Sequence, residues 1–468
     1  MSQENDVDLI DSTQADTQSL TQTQSGSLTL SLTPHSEETK PDPYGRLSLH
    51  EVKTKRLGMR STLGHTFKKI TTFELTKEKF SVGRDFKCDI CVSNLKKGSF
   101  IDVSALHFSV IKHVIDDPNS PVFIEDSSTN GTFIEKSGRN MNKKERLSLK
   151  SNKLDKEESR YILAHKDVIY IQKVPTIAFI FESLQIIDNY LPAEINKIYH
   201  VGRQLGSGAC GTVYYVQDRR TCKPYALKYT AENENNIHTI FKEVELLRIL
   251  KHPCILNFIN VRTYDNSVAI CLEYMAGGDL LSRIQKNKEN HQHMSESLSK
   301  FIFYQMCSGV KYLHDERVAH RDLKPANILL STDEDYTLVK ISDFGLSKRV
   351  QNNSQLKTRC GTRIYLAPEV RSTKYYTNKV DIWSLGIVLY NCLSSRMPYS
   401  VEIYEKNPGD IHFKHHSWEN ISDDAISLIR DALEVNPDAR PSIEELLKRK
   451  WLSIHDQYIQ MALQCMAR

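Results

Sequence analysis

The segment HRDLKPAN, residues 320–327, constrains this chain more than any other feature. It places a carboxylate (Asp322), a cation (Lys324) and an amide (Asn327) on one short loop. A carboxylate can accept a proton, a lysine can neutralise a developing negative charge, and an amide oxygen can bind a hard metal ion. A His-Arg-Asp triplet alone arises by chance, so the interpretation depends on whether other motifs flank it in a fixed order.

A glycine-rich segment, LGSGACGTV, runs from Leu205 to Val213 upstream of this loop. Its Gly206, Gly208 and Gly211 would let the backbone close over phosphate groups, because no Cβ stands in the way. Dinucleotide-binding folds use the same spacing, but there a helix follows, whereas the residues after Gly211 are typical of a second strand. Taken by itself, the motif would be interpreted first as an ordinary hairpin.

The segment after the glycines supplies a lysine and an acid that can pair. Lys228 lies in the strand-like run YALK, and the helical run at 241–250 offers Glu243 and Glu245. The spacing of Glu243 to the His252-Pro253 step resembles that of protein kinases, and this resemblance favours Glu243 as the inward-facing partner of the lysine, with Glu245 as the alternative.

Downstream motifs complete an order that resembles protein kinases: DFG with Asp343, APE ending at Glu369, DIWSLG from Asp381, and Arg440, which we expect to pair with Glu369. This resemblance implies a Ser/Thr protein kinase that uses ATP and Mg²⁺. Asp322 would orient the substrate hydroxyl and accept its proton, and Lys324 would stabilise the transferred γ-phosphoryl group. The residues implied to bind ATP and its metal are Leu205, Gly206, Gly208, Gly211, Val213, Lys228, Glu243, Glu273, Met275, Asp279, Asn327 and Asp343, with Asn327 and Asp343 as the metal ligands.

Two positions bear on the substrate. Asp279 follows the segment LEYMAGG, where related kinases place an acid for a basic residue three positions before the phosphoacceptor. Asn391 stands where some of those kinases have a second acid, so we expect one dominant basic requirement. A contact with the ATP ribose is the alternative role for Asp279.

Residues 1–43 are rich in Ser, Thr and Gln with almost no aromatic residues, which predicts a disordered tail. Threonine precedes glutamine at Thr13, Thr17, Thr21 and Thr23. Such clusters resemble the target sites of large DNA-damage-response kinases, and compositional drift is the alternative. Thr17 has a leucine three residues later, unlike the other three.

Residues 44–182 show short alternating strands broken by Gly, Asn, Asp and Pro, which predicts a β-sandwich. Within it, Arg84 offers a fork of donors, Ser104 a hydroxyl and Asn130 an amide, a set suited to an anion on a peptide. Together with His107 in SALH, these residues resemble a forkhead-associated domain, which implies a phosphothreonine-peptide site at Arg84, Ser104, His107 and Asn130.

The order of tail, sandwich and kinase-like region resembles the checkpoint kinase 2 family. The expected fold is a multidomain chain: a β-sandwich forkhead-associated domain, then a bilobal α+β protein kinase domain, with a disordered N-terminal tail. The boundaries are 1–43 for the tail, 44–182 for the forkhead-associated domain, 183–198 for a linker, 199–453 for the kinase domain and 454–468 for a C-terminal tail.

The resemblance implies a DNA-damage checkpoint effector that an upstream damage kinase phosphorylates on its tail. A transient homodimer would then form and activation-loop phosphorylation in trans would follow, with Thr17, Thr358 and Thr362 as the regulatory sites. A meiotic relative of the same architecture and a phospho-dependent scaffold with weak kinase activity are the alternatives. Relatives often have Lys where this chain has Ala105, which puts its affinity for phosphopeptides in question. They have Pro where this chain has Arg363, which puts its substrate preference in question.

The rest of the composition mainly argues against particular partners, targeting segments and metal sites. A net charge of +4 without a clustered basic recognition helix predicts no direct nucleic-acid binding, and the acidic N-terminus predicts no signal peptide or membrane anchor. The scattered cysteines suit a reducing compartment, and the pair Cys88 and Cys91 lacks the further ligands that a zinc site needs. The family resemblance implies a nuclear protein, or one shared between nucleus and cytoplasm.

Overall fold

The computed structural model describes residues 42–57, 62–94, 103–136, 146–149, 159–171, 177–184, 191–208, 211–231, 234–264, 267–349, 363–372, 377–400, 404 and 407–467. Nearly all of the predicted tail, including Thr17, lies outside these ranges, as do Thr358 and Thr362. Among the helices of the described ranges, none combines the length and the apolar character needed to span a membrane.

The first folded region is a sandwich of two antiparallel-rich sheets, which we call the sandwich domain. One sheet has the strand order β2-β1-β11-β10-β7-β8 and the other β4-β3-β5-β6-β9. The strands are β1 (Gly45–Leu57), β2 (Thr62–Leu75), β3 (Lys79–Gly83), β4 (Ile90–Cys91), β5 (Phe108–Ile111), β6 (Phe123–Asp126), β7 (Phe133–Glu135), β8 (Arg146–Ser148), β9 (Arg160–Ile162), β10 (Val168–Tyr170) and β11 (Ile177–Ser183).

Apolar side chains from both sheets fill the space between them. Leu47 and Leu49 in β1, two residues apart, are fully buried because alternate strand residues share a face. Phe108 of one sheet meets Phe179 of the other edge to face, with ring centroids 5.6 Å apart. Each such side chain contributes roughly 1.5–3 kcal/mol by leaving water, so this core can hold the loops at the sheet ends in place.

The second folded region, which we call the two-lobed domain, begins with a short helix, α1 (Ala193–Ile198), inside the predicted linker. A five-stranded antiparallel sheet of order β12-β13-β14-β16-β15 follows, and helix α2 packs beside it. These elements are β12 (Tyr199–Gly208), β13 (Gly211–Asp218), β14 (Pro224–Ala231), α2 (Glu234–Ile249), β15 (Phe258–Tyr264) and β16 (Ser267–Glu273).

The rest of this domain is mainly helical. Helix α6 is buried along almost its whole length, because its apolar residues extend all round its surface. The elements are α3 (Leu280–Glu289), α4 (Glu296–Asp315), β17 (Val318–Ala319), β18 (Ile328–Leu330), β19 (Val339–Ile341), β20 (Lys348–Arg349), α5 (Pro368–Ser372), α6 (Lys379–Ser394), α7 (Asp423–Ala432), α8 (Ile443–Leu447) and α9 (Gln457–Ala467).

The C-terminal segment differs from the sequence prediction. Where a tail is expected at 454–468, helix α9 packs on α4, and its Ile459 and Ala462 are fully buried. Asp456 just before it pairs with Lys300 of α4 at 2.7 Å. The apolar spacing of three residues between Ile459 and Ala462 is the sequence signal for this helix. The folded lobe therefore continues beyond residue 453.

Candidate functional site

The glycine-rich segment forms the hairpin between β12 and β13. Gly206 pairs with Val213 and Gly208 with Gly211, and among the described residues no atom lies within 4 Å of where a Cβ on Gly206 or Gly208 would stand. Gly211 has a φ of +118°, and a Cβ there would lie 2.5 Å from the Tyr229 carbonyl oxygen. The strands of this hairpin thus offer open backbone at Gly206 and Gly208, close to Leu205, and require glycine where the return strand begins.

Lys228, in β14, is held by acids from two separate elements. Its Nζ lies 2.8 and 3.1 Å from the two carboxylate oxygens of Glu243 in α2, and 3.6 Å from Oδ1 of Asp343. Lys228 and Glu243 are 9% and 7% exposed, whereas Glu245 is exposed and points away. Glu243 is therefore the acid that orients the lysine.

Asp322, Lys324 and Asn327 lie together on the loop between β17 and β18. Oδ2 of Asp322 accepts a hydrogen bond from Nζ of Lys324 at 2.8 Å and one from Nδ2 of Asn327 at 3.2 Å. The same amide donates to the Asp322 carbonyl oxygen at 2.8 Å. Donors on two sides of this carboxylate fix its direction, as a positioned proton acceptor requires.

A buried carboxylate in α6 fixes the shape of this loop. Asp381 accepts hydrogen bonds from the backbone N–H groups of His320 (3.0 Å) and Arg321 (2.9 Å) and from Nε2 of His314 (2.9 Å). Burial alone would raise the pKa of Asp381, but the bond and the charge of His314, with the other donors, hold that pKa below its ordinary value. Arg321 has a φ of +71°, so the loop needs this anchor.

The donor set at the loop suits a small divalent cation. Asn327 uses its amide nitrogen toward Asp322, so its amide oxygen is the atom it can offer to a metal. The backbone N–H of Ser342 donates to the Asn327 carbonyl at 2.9 Å, which places the next residue, Asp343, beside it. One amide and one carboxylate suffice for Mg²⁺, because that ion keeps waters and takes phosphate oxygens.

The segment that joins the two lobes contains the other predicted nucleotide contacts. The side chain of Glu273 is engaged within the protein, by Nζ of Lys340 at 2.7 Å and the N–H of Asn257 at 2.5 Å. Met275 is 7% exposed. Asp279 caps α3 by accepting from the N–H and the hydroxyl of Ser282, at 2.8 and 3.0 Å.

Two further sequence expectations concern the helical lobe. Arg440 pairs with Glu369 as predicted, with two nitrogen–oxygen distances of 2.7 and 3.1 Å, and both side chains are buried. Asn391 is 6% exposed and donates to the Arg396 carbonyl, so this position faces the interior and could not serve a substrate contact.

In the sandwich domain, the backbone brings Arg84 and Ser104 together. The N–H of Arg84 donates to the Ser104 carbonyl at 3.0 Å, and the Arg84 carbonyl accepts from the hydroxyl of Ser93. The Arg84 side chain is exposed. Gly83 is required here, because a Cβ would stand 2.1 Å from the Ala105 carbonyl oxygen.

The loop with Asn130 adjoins the same place. The N–H of Thr129 donates to Oγ of Ser104 at 2.9 Å, which sets exposed Asn130 next to the serine. Asp126, at the end of β6, stabilises this loop by accepting from the Thr132 hydroxyl at 2.7 Å. The structure therefore gathers Arg84, Ser104 and Asn130 at one end of the sandwich, where an anion would meet a cation, a hydroxyl and an amide.

His107 does not belong on this surface. It is fully buried, and its Nδ1 accepts from the N–H of Ser104 at 3.3 Å. Burial lowers its pKa, with the charge of Asp126 opposing, so the ring is neutral at physiological pH. The prediction that His107 contacts a peptide is wrong, because this residue supports Ser104 from the interior.

Sequence reasoning missed the supporting residues of both sites. Thr129 and Asp126 shape the loop of the sandwich domain, and Ser342, whose hydroxyl donates to the Asn327 carbonyl at 3.0 Å, shapes the loop of the two-lobed domain. Thr129 stands next to the predicted site residue Asn130, but no sequence signal indicated Asp126 or Ser342, since a single polar residue has no distinctive pattern.

Comparison with known proteins agrees with this geometry. Residues 199–452 match the model of the protein kinase domain, and residues 80–172 match that of the FHA, or forkhead-associated, domain. The ovarian-specific serine/threonine-protein kinase Lok of Drosophila melanogaster is 38% identical over 93% of this chain and 92% of its own length. The serine/threonine-protein kinase chk-2 of Caenorhabditis elegans is 31% identical over 83% and 81%.

Proposed function

Because this chain belongs to the checkpoint kinase 2 family of serine/threonine protein kinases, we propose that it is a checkpoint effector of the DNA-damage response. Its kinase domain phosphorylates protein serine and threonine residues and its FHA domain binds phosphothreonine peptides. The observation that carries the proposal of an active enzyme is Lys228, whose ammonium group meets Glu243 at 2.8 Å and Asp343 at 3.6 Å. A kinase poised for turnover requires this lysine–glutamate pair and a DFG aspartate placed to hold Mg²⁺, and Asp343 lies beside the pair.

The catalytic step then follows from the loop geometry. Asp322 orients the substrate hydroxyl and accepts its proton, and Lys324, 2.8 Å from Asp322, lies where it neutralises charge on the transferred phosphoryl group. Lys228 holds the α- and β-phosphates, and Asn327 and Asp343 hold magnesium. Bound MgATP supplies the phosphoryl group, and the protein contributes position and charge.

Activation begins at the tail in this proposal. An upstream damage kinase phosphorylates Thr17, whose Leu20 occupies the third position after it. Phosphothreonine carries about −1.5 to −2 charges and can make 1–3 charge-assisted hydrogen bonds, which Arg84 and Ser104 can donate. Reciprocal docking of two tails on two FHA domains gains from effective concentration and forms a transient homodimer.

The dimer would bring two activation segments together for phosphorylation in trans at Thr358, with Thr362 as the second candidate. A phosphate at Thr358 would offer Arg321 a charge-assisted partner. Arg321 already donates from Nε to the Leu346 carbonyl at 2.6 Å, so it lies against the start of that segment. Thr358→Ala should lower activity with little change in ATP affinity. Full activity of an unphosphorylated Thr358→Ala protein would exclude this switch.

Substrates should carry a basic residue three positions before the phosphoacceptor, recognised by Asp279. Its carboxylate caps α3 and is only partly buried, so it keeps a surface on which a guanidinium can dock. A peptide array tests this by comparing Arg and Ala at that position. Equal phosphorylation of the two peptide sets would contradict the assignment.

Damage signalling also implies action in the nucleus, at least in part. Mass spectrometry of phosphosites before and after DNA breakage tests the pathway assignment in one experiment. We expect phosphate at Thr17 and then at Thr358, with the protein in the nuclear fraction. A phosphosite pattern that does not respond to DNA breaks would contradict a role in the DNA-damage response. It would not bear on whether the chain is an active kinase.

A further inference from the structure

Arg219 makes contacts that neither the catalytic site nor the phosphopeptide site explains. It lies in the turn between β13 and β14 and is 8% exposed. Its Nη1 donates to the carbonyl oxygens of Ile162 (3.2 Å) and Leu163 (2.7 Å), and its Nε donates to that of Asn196 (2.8 Å). One side chain thereby joins the FHA domain, helix α1 and the kinase domain.

Backbone hydrogen bonds strengthen this contact. The N–H of Ile162 donates to the Arg219 carbonyl at 2.8 Å, and the N–H of Arg219 donates to the Ile198 carbonyl at 2.9 Å. Ile162 ends β9, an edge strand of its sheet. Edge strands present free N–H and C=O groups, and the turn with Arg219 satisfies both of these groups of Ile162.

Neighbouring groups compensate the positive charge of Arg219 where it is buried. Burial lowers the pKa of Arg219, whereas the neighbouring Tyr161 and Asp167 favour its charged form. The hydroxyl of Tyr161 donates to Asp167 at 3.1 Å, so the acid is itself held by the FHA core. The guanidinium is removed from water, its charge is compensated by neighbouring groups, and it donates to several carbonyl oxygens. Breaking these bonds would leave buried groups without partners.

A second contact lies beside the first. Nε2 of His200, in β12, donates to the Asn119 carbonyl at 2.8 Å, and His200 is 8% exposed. Burial lowers the pKa of His200 to about 4, so the ring is neutral at physiological pH and carries its proton on the nitrogen that donates this bond. Two separate loops of the FHA domain are thus bonded to the strands that carry the glycine-rich hairpin.

One strand connects this contact to the phosphopeptide loops. Phe123 of β6 pairs with Ile162, the partner of Arg219, and β6 ends at Asp126, which supports the loop with Asn130. At about 3.3 Å per residue, those ends of β6 are roughly 10 Å apart. Because the strand is so short, a displacement at Phe123 also moves Asp126 at the other end.

We propose that Arg219 is a positioning residue, which holds the FHA domain and the N-terminal lobe of the kinase as one rigid unit within a chain. When the FHA loops bind a phosphothreonine of a partner chain, the kinase active site is then held in a fixed orientation relative to that partner, as well as close to it. This inference rests on the proposed activation by docking of the tail.

The neighbouring Arg220 provides a matched control, since it has the same side chain in the same turn but is exposed. Hydrogen–deuterium exchange of the full chain compares Arg219→Ala with Arg220→Ala. We expect the Ile162 amide to exchange at least about tenfold faster in Arg219→Ala and at the unsubstituted rate in Arg220→Ala. Exchange at Ile162 that matches the control would overturn the proposal.

A functional measurement separates positioning from general stability. In chains phosphorylated at Thr17, Arg219→Ala should slow activation-loop autophosphorylation about tenfold. Its phosphothreonine-peptide Kd, and its activity once another kinase has phosphorylated the loop, should stay within twofold of the unsubstituted protein. Arg219→Lys, with a single donor group, should recover only part of the rate.

If Arg219→Ala fails to fold, His200→Phe tests the second contact with the same readouts and should slow autophosphorylation severalfold. Faster exchange at Ile162 with an unchanged autophosphorylation rate would also overturn the proposal. Failure of the unsubstituted phospho-Thr17 chain to dimerise would instead contradict the activation scheme, and the exchange comparison would still decide whether the rigid unit exists.

Discussion

The catalytic site and the phosphopeptide site of this chain are organised in opposite ways. At the catalytic site the functional side chains hold one another: Lys228 pairs with Glu243, and Asp322 accepts from Lys324 and Asn327. At the phosphopeptide site the backbone and the Ser104 hydroxyl are held, while the side chain of Arg84, the cation of the site, is exposed to solvent.

This difference reflects what each site requires of its charged side chains. Catalysis needs charges fixed before the substrate arrives, because reorganisation during the reaction would raise the barrier. A phosphopeptide site can leave its cation exposed, since the phosphate itself supplies the partner. Substitutions at the catalytic site should therefore disturb neighbouring side chains, whereas substitution of the exposed Arg84 should remove ligand affinity alone.

The largest effect is expected for Asp322→Ala. Loss of a positioned proton acceptor costs about 10²–10⁴-fold in rate, and this carboxylate also organises Lys324 and Asn327, so we expect about 10³-fold. Radiolabelled phosphate transfer by the purified chain measures it. The control is Asp315→Ala, an exposed acid paired with Lys311 on the same lobe. Equal background signal from Asp322→Ala and the unsubstituted chain would indicate a scaffold with weak kinase activity.

Glu243→Gln should have the next largest effect. It weakens the hold on Lys228, and misplacement of a catalytic group by about 1 Å costs about 10²-fold. Steady-state phosphorylation of a peptide measures the change, and Glu245→Gln, on the exposed face of the same helix, should behave as the unsubstituted protein. Equal losses in the two variants would show that the helix, and not the ion pair, matters.

Arg84→Ala should weaken phosphothreonine-peptide binding by about 10–100-fold. A hydrogen bond to a charged group contributes about 1.5–3 kcal/mol, and 1.4 kcal/mol corresponds to a factor of ten. Calorimetric titration with a phosphorylated peptide spanning Thr17 measures the Kd. Arg46→Ala, which removes an exposed arginine paired with Glu74, is the control and should bind normally. Unchanged affinity in Arg84→Ala would remove this residue from the site.

The smallest effect concerns acid stability of the FHA domain. Burial alone would raise the pKa of Asp89, but hydrogen bonds from Lys77 and Ser81 hold it below its ordinary value of 3.8. A pKa that is lower in the folded state stabilises the fold above pH 3.8 and ceases to do so as pH falls through the folded pKa.

Asp89→Asn should therefore reduce the loss of stability between pH 6 and about pH 3. Urea unfolding of the full chain at both pH values measures this, with Asp42→Asn, an exposed acid, as the control. An identical pH dependence in Asp89→Asn and the unsubstituted protein would contradict the assignment.

The sequence anticipated that Asp322, Lys324 and Asn327 lie together, because kinase motifs have fixed local spacing and bring these three residues onto one loop. It could not separate Arg219 from Arg220, since both stand in a polar turn and only the partner domain distinguishes them. His107 was misplaced for a related reason: a histidine beside a functional serine has the same pattern whether it faces solvent or the core.

Sedimentation of the full chain homogeneously phosphorylated at Thr17 tests most directly the claim that the two sites act together. We predict a dimer at micromolar concentration, and a monomer when Arg84→Ala is introduced into the same phosphorylated chain. A phospho-Thr17 chain that stays monomeric, or a dimer that Arg84→Ala leaves intact, would contradict the account.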